Sequence, residues 1–496
     1  MRLDVAHSNS PTSRTDSRSP IHRDVGAGPS PSRFFGRRVH FIGIGGSGMS
    51  GLARILLDSG AVVTGSEPQP NEQTRALVER GARISPEQFG RLLCRDVDLV
   101  VRTAAVPDSN VEYQVAVNMG LRTVKYAQLL GEIMGERLGV AVAGTHGKST
   151  TSAMIAHALL TCGHDPSFVI GGTVPQLGGS SRSGGGPAFI AEACEYDRSF
   201  HALAPTVAVI TNIDADHLDC YRDIHEIIES FRDFGGLVPE SGRIIAAAED
   251  RVAQALHVFD PSMIEWCALE TPAEWSTRSL GVEQGCHRGE ISRAGQPVAE
   301  IRLRVAGRHN LSNATLAVAA CAACGLAPQR AADAIGTFLG VDRRMTELGR
   351  VPGVDAVVVD DYAHHPTELL ATLDALRQRY QPRRLIAVFQ PHQASRTRLL
   401  LDEFSRAFPS ADLVILPEIY YVRDSADDRK SVSSAQLARG LTARGVDATY
   451  LPTFELVTAH LRSVVRDGDL VVTLGAGNVW EIGKALVAGA GLRIAG

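Results

Sequence analysis

At 496 residues, with 44% hydrophobic and 21% charged side chains, the chain is too long for one ordinary core and reads as globular material in roughly three domains. A formal net charge of −5 argues against a nucleic-acid surface, and no apolar run reaches the length of a membrane span, so neither nucleic acid nor membrane is an expected partner. Eight cysteines without a spaced framework point to reduced thiols and a cytoplasmic location, with Cys321-Ala-Ala-Cys324 read as buried small residues of an alanine-rich helix.

Residues 1–36 are rich in Ser, Arg and Pro and read as a disordered tail. The next segment, 37–137, opens with a buried strand, Arg38–Ile42. It runs into Gly43-Ile-Gly45-Gly46-Ser47-Gly48-Met49 and a helix from about Ser47 to Ser59. A second strand, Ala61–Gly65, ends at Ser66-Glu67. Strand, glycine turn, helix and strand with a terminal acid form a Rossmann-like opening, and a diphosphate-bearing ligand belongs at that helix N-terminus. The spacing is not the G-x-G-x-x-G of a dinucleotide site. Strands at Val97–Val101 and Leu121–Val124 continue the unit, and a helix around Gln128–Met134 leads out of it.

The segment 138–342 carries the strongest signal. An apolar strand, Val140–Ala143, empties into Gly144-Thr145-His146-Gly147-Lys148-Ser149-Thr150 and then into a helix. Glycines let backbone N–H groups approach phosphate oxygens, Lys148 reaches the β- and γ-phosphates, and the Ser149 hydroxyl can ligand Mg²⁺. Two residues separate the glycines where the Walker pattern has four. Of 50 basic residues only four are lysines, and one of them stands in this loop, where a compact ammonium fits better than a planar guanidinium. A Gly/Ser-rich stretch at 178–187 reads as a mobile loop. The strand Ala188–Ala191 delivers Glu192, Glu195 and Asp197, and Thr206–Ile210 delivers Asp214, Asp216, His217 and Asp219. Acidic groups at the carboxyl ends of parallel strands, facing a triphosphate, suit Mg²⁺. Asn310 and Asn313 precede an alanine-rich helix, as a turn former and a cap or as amides that read an adenine edge.

The segment 343–496 alternates strand and helix five times, with strands at Ala356–Asp360, Leu385–Phe389, Leu413–Leu416, Ala448–Leu451 and Leu470–Leu474. The expected fold is therefore α/β in three domains: a Rossmann-like nucleotide-binding domain, a central phosphate-loop domain and a second Rossmann-like domain. Polar loops gather at the strand ends of the last one: Asp361, Tyr362, His364 and His365 after the first strand, His392 and Arg396 after the second. The paired histidines beside aspartates raise a zinc site, but no third close ligand has metal spacing, and a nucleotide-facing role fits better.

These residues together resemble the Mur ligase family, and Asp360-Asp361-Tyr-Ala-His-His-Pro-Thr-Glu368 is similar to the form found in its alanine-adding branch. The resemblance implies ATP-dependent joining of L-alanine to the lactyl carboxylate of UDP-N-acetylmuramate, with the glycine turn (Gly43, Gly45, Gly46, Ser47, Gly48, Met49) and Glu67 on the UDP-sugar. It implies residues 144–150, Asn310, Asn313 and Asp361 on ATP, with Asp361 holding the ribose or orienting His364. Mg²⁺ would be held by positions matching Ser149, Glu192 and His217. Lys148, Arg343 and His364 are expected at the reacting phosphate, and Tyr362, His365, His392 and Arg396 on the substrate side. Three departures stand out: Cys194 replaces a carboxylate, Gln393 replaces an arginine, and no lysine between Lys148 and Lys430 is present to be carbamylated. A ligase that recycles whole peptides onto the same sugar nucleotide is the nearest rival. Polyglutamate ligation, a regulatory ATPase and a dinucleotide oxidoreductase fit the motifs less well.

Overall fold

The computed structural model describes residues 32–422 and 424–489. The tail expected over 1–36 lies outside the described residues up to 31. Its last five residues form a turn that buries Phe34 and pairs Arg33 with Glu132 and Glu136.

Three sheets divide the chain. The first is parallel, in the spatial order Arg83–Ser85, Val62–Ser66, Arg38–Ile42, Leu99–Arg102, Thr123–Lys125. That order places the glycine turn after Arg38–Ile42 at the point where strand order reverses, the usual ligand crevice of such sheets. The helix Ser47–Asp58 starts where the sequence predicts, because Gly46 ends the turn and small residues Ser50, Gly51 and Ala53 pack inward.

The central sheet has ten strands. Its parallel part runs Ile264–Leu269, Arg243–Ala247, Val207–Ile210, Leu138–Ala143, Ala188–Glu192, Ser167–Val174. Strand Leu138–Ala143 is buried at every position, as a central parallel strand must be. Both edges depart from the sequence reading. The stretch expected as a mobile loop contains the strand Gly179–Arg182, paired antiparallel with Ser167–Val174 and packed against helix Ser47–Asp58, where Ser181 closes on Gly51. At the other edge Trp275–Glu283, Cys286–Arg293 and Gln296–Leu303 form an antiparallel meander. Its two turns place Gln284-Gly285 and Ala294-Gly295 at positive φ, the backbone a two-residue hairpin turn demands.

The third sheet runs Thr346–Arg350, Val357–Asp361, Asp469–Leu474, Arg384–Phe389, Leu413–Leu416, Ala448–Tyr450, parallel except for its first strand. That antiparallel edge strand, Thr-Glu-Leu-Gly-Arg, carries too little apolar character to stand out in the sequence.

Core continuity decides which parts can move. One buried cluster runs from Phe34, Leu52 and Leu130 of the first unit into Ala143, Phe189 and Phe231 of the central one. These two are fused by apolar burial, worth about 25 cal/mol per Å². The C-terminal domain buries its own apolar clusters on the two faces of its sheet. What joins it to the centre is polar, and polar interfaces permit domain motion.

Candidate functional site

The phosphate loop follows Leu138–Ala143, and the helix Lys148–Thr161 begins at Lys148 itself. Two glycines are required by contact as well as by conformation. Gly144 has φ +135° and a Cβ there would lie 1.9 Å from Thr211 Oγ1. Gly147 has φ +83° and a Cβ would lie 2.6 Å from Asn313 Oδ1. Replacing Gly147 by alanine costs about 1–2 kcal/mol of backbone strain alone and displaces Asn313. ATP affinity in the Gly147→Ala protein is expected to fall about tenfold, and unchanged affinity by titration calorimetry would contradict this placement.

Lys148 Nζ lies 2.6 Å from Gly144 O, 3.0 Å from Thr145 O and 2.9 Å from a Glu195 carboxylate oxygen. Burial opposes its charge, but Glu195 and neighbouring acids outweigh that and hold the ammonium protonated. Ser149 Oγ donates to Glu192 Oε2 at 2.8 Å, and Gly171 N donates to the same oxygen. His217, at φ +54°, sits 3.6 Å from Glu195, with its Nδ1 buried and without a hydrogen-bond partner. A hydroxyl, a carboxylate and an open imidazole nitrogen around the loop fit a hard divalent cation. Cys194 stands beside them, its thiol pushed up to about 11 by desolvation and by Glu195 against the pull of Lys148, so it is neutral at pH 7 where a carboxylate would be charged.

A cavity of about 710 Å³ opens from the loop, a suitable volume for a nucleotide. His146, Ser149 and Thr150 line one end, and Arg251, Thr271, Asn310 and Arg344 line the rest. The alanine-rich helix begins at Arg308, earlier than the sequence suggests, so Asn310 and Asn313 lie inside it with Gly307 as its cap. Asn310 donates to Ala306 O and accepts from Asn313, and Asn313 reaches under Gly147 at the phosphate end. Asp361 also borders the cavity, but its carboxylate accepts the backbone N–H groups of Met345 and Ala363. It braces the Arg343–Met345 turn, while the His364 ring turns to Tyr362 O and Glu368 instead.

In the first domain, Gly43 N and Ile44 N donate to Ser66 O, and Gly45 N donates to Glu67 Oε2 at 3.0 Å. Gly48 packs on the Tyr126 ring, where a Cβ would come within 2.8 Å of it. The half-buried Tyr126 phenol is in turn raised well above its ordinary value by desolvation, Glu192 and Cys194. Tyr126, which sequence reasoning passed over, thus links the glycine turn to the acidic strand end. The signal for it is only its position at the start of the helix leaving the first domain.

The C-terminal loops meet the centre through charge. Arg396 Nη2 lies 2.9 Å from Asp216 Oδ1, with both side chains 7% exposed, and Arg396 also contacts His392, which stacks on Tyr420. His365 Nε2 donates to Ala215 O at 3.1 Å, and Thr367 Oγ1 donates to Asp214 at 2.7 Å. His146 of the phosphate loop lies 3.3 Å from Glu368 and 3.5 Å from Asp214. Burial alone would depress His146, but Asp214 and Glu368 outweigh it and push it up to about 9. His364 is the opposite case: burial brings it down to about 4, so its ring is neutral beside Tyr362 O and Glu368. Arg343 is held by Asp360 and by Gly475 O, over the Tyr362 ring. His365 and Arg396 therefore reach Asp214–Asp216, His392 stands against Arg396 with His364 beside it, and Arg343 stays anchored within its own domain. Asp214, Asp216, Glu195 and Glu368 are the residues sequence reasoning left without individual roles. Their acidic clusters were visible, but not the partners that each one meets.

Family models match in three consecutive stretches: the Mur ligase family catalytic domain over 38–137, the Mur ligase middle domain over 142–321 and the Mur ligase glutamate ligase domain over 343–477. A UDP-N-acetylmuramate–L-alanine ligase from Caldanaerobacter subterraneus subsp. tengcongensis is 40% identical over 453 residues, covering 90% of this chain and 96% of that protein. Among solved structures, a UDP-N-acetylmuramate-alanine ligase from Thermotoga maritima superposes with a TM-score of 0.74 at 25% identity, over 91% of this chain and 98% of that one. A murein peptide ligase from Psychrobacter arcticus gives 0.66 at 25% identity, over 93% and 100%. With its glycine turn, phosphate loop and histidine-bearing third domain all inside these matches, the chain belongs to the Mur ligase family.

Proposed function

We propose that this enzyme uses ATP to join L-alanine to the lactyl carboxylate of UDP-N-acetylmuramate, an early cytoplasmic step of peptidoglycan synthesis. The observation that carries this reading is the convergence of three loops on one region. The UDP-side glycine turn packs on Tyr126, Lys148 and Ser149 supply the phosphate end, and Arg396, with His392 and His364 behind it, closes on Asp216. The near-complete overlap with an alanine-adding relative supports it.

A carboxylate is a poor electrophile, so its oxygen first attacks the γ-phosphorus and ADP leaves, giving an acyl phosphate. The alanine amine then attacks the carbonyl carbon. The C–O bond to phosphate breaks, and inorganic phosphate departs with one of the original carboxylate oxygens. Phosphoryl transfer of this kind depends on positioning and charge neutralisation. Lys148 neutralises the β- and γ-phosphates, the backbone N–H groups of Gly147–Thr150 cradle them, and Asn313 fixes the loop from below. Ser149, Glu192 and His217 would hold Mg²⁺, which when bound supplies further positive charge at the triphosphate. His364, at about 4, is too weak a base to take a proton from an ammonium, so the alanine enters as its free amine and the neutral ring only hydrogen-bonds on that side. Asp214 and Asp216 dock the third domain, so water is excluded when the substrates are in place.

A peptide-recycling ligase shares these parts and differs in what enters on the amine side. Incubating the protein with ATP, Mg²⁺, UDP-N-acetylmuramate and single amino acids, or the L-alanyl-γ-D-glutamyl peptide, and weighing the products separates the two. An alanine adduct is expected; a peptide adduct without an alanine one would transfer the chain to the recycling reaction.

A further inference from the structure

Among the described residues, one group of side chains has the composition and closeness to hold a metal ion: His146 and His365, which take no step in the reaction just described, and Asp214, which there only docks the third domain. They come from three distant stretches, the phosphate loop, the loop after Val207–Ile210 and the C-terminal domain, and their ligand atoms all lie within 4.8 Å of one another. Asp214 Oδ2 is 3.5 Å from His146 Nε2 and 3.8 Å from His365 Nδ1. Ligand atoms around a tetrahedral Zn²⁺ stand about 3.4 Å apart, given bonds near 2.0–2.1 Å.

The outer nitrogens matter as much as the inner ones. A metal-binding histidine normally gives its other N–H to a carboxylate or a backbone carbonyl, which fixes the tautomer. Here His146 turns Nδ1 to Glu368 at 3.3 Å, and His365 turns Nε2 to Ala215 O at 3.1 Å. That leaves His146 Nε2, buried and without a hydrogen-bond partner, and the inward Nδ1 of His365, whose side chain is 5% exposed, both facing Asp214. Competing bonds exist: His365 Nδ1 also accepts from Thr367 N at 3.3 Å, and the Asp214 carboxylate accepts from Thr367 Oγ1 at 2.7 Å and pairs with Arg251 at 2.7 Å.

We propose that His146, Asp214 and His365 form a site for an imidazole-preferring divalent transition ion, Zn²⁺ foremost, which staples the phosphate loop to the C-terminal domain. Two imidazoles and a carboxylate favour such an ion over Mg²⁺, and the adjoining cavity leaves a fourth position for water. The bound ion replaces the proton of His146 and ties two domains otherwise joined by polar contacts. It holds the closed arrangement and slows the reopening that product release requires.

The test uses the full chain, stripped of metal and titrated with ZnCl₂ in the absence of nucleotide. One tight site is expected in the natural protein, weakened at least tenfold by His365→Gln and kept in His217→Gln. Undiminished binding in the His365→Gln protein, loss in the His217→Gln protein, or no tight site in the natural one would overturn the proposal. X-ray absorption on the zinc-loaded natural protein is independent of how the variants fold. Two imidazoles with oxygen ligands are expected, and a sulfur scatterer or a single imidazole would overturn the assignment. None of these readouts depends on which substrates the enzyme joins.

Discussion

Lys148→Ala is expected to lower the rate of ligation by about 10²–10³-fold, while UDP-N-acetylmuramate still binds. A charged donor aimed at developing charge in a site from which water is excluded is worth about 10²–10³ in rate. Lys148 is the one lysine on this loop, with 12% of its side chain exposed. The nearby arginines of the cavity are pledged to carboxylates, Arg251 to Asp214 and Arg344 to Glu368. The substitution also strands Glu195, which is 2% exposed, and removing one member of a buried ion pair costs about 3–5 kcal/mol. A fall in melting temperature should therefore accompany the loss of turnover, and activity is best compared well below it. The glycine turn proposed to hold the UDP-sugar lies in the first domain, whereas the bonds of Lys148 to Gly144, Thr145 and Glu195 lie in the central one. Retained turnover in a folded Lys148→Ala protein would remove the ammonium from the mechanism.

Arg396→Ala should loosen the C-terminal domain before any substrate is added. The Arg396–Asp216 pair is buried on both sides, and losing the guanidinium leaves an uncompensated carboxylate at the junction. Burial alone would raise Asp216, but Arg396 and the neighbouring histidines hold it far below the usual carboxylate range. By the same arithmetic as for Glu195, docking weakens by about 3–5 kcal/mol. Small-angle scattering of the unliganded variant should report a larger radius of gyration, and kcat should fall by about a hundredfold, as misplacement of reacting groups typically does. Asp216→Asn should do the same, and the paired change Arg396→Met with Asp216→Leu should recover part of the compactness. A variant as compact as the natural protein, with only its alanine KM raised, would mean that Arg396 serves the amino acid and not the domain junction.

Elements whose periodicity and punctuation agree were legible in the sequence. Arg38–Ile42 with its glycine turn, Leu138–Ala143 with the phosphate loop, and the strands after Ala356 are continuous apolar runs that end in glycine or acid. The meander over Trp275–Leu303 escaped because its strands are half-exposed and mixed in polarity. Gln284-Gly285 and Ala294-Gly295 were the available turn signals. The Gly179–Arg182 strand escaped because glycine and serine lack β-propensity, and packing against helix Ser47–Asp58 makes it a strand. Of the candidate site, the groups that touch one another in sequence were readable, and those that meet across domains were not. Nothing local marks His146 as a neighbour of Glu368, or Arg396 of Asp216, because such pairs are set by how the domains dock.

The account rests on direct transfer of the γ-phosphate to the sugar's carboxylate. Preparing UDP-N-acetylmuramate with ¹⁸O in the lactyl carboxylate, running one turnover with ATP and L-alanine, and weighing the released phosphate tests it most directly. One ¹⁸O atom in each inorganic phosphate is predicted. Label kept wholly in the amide product and unreacted acid, with none in phosphate, would contradict the acyl-phosphate route and the roles given to Lys148 and Ser149.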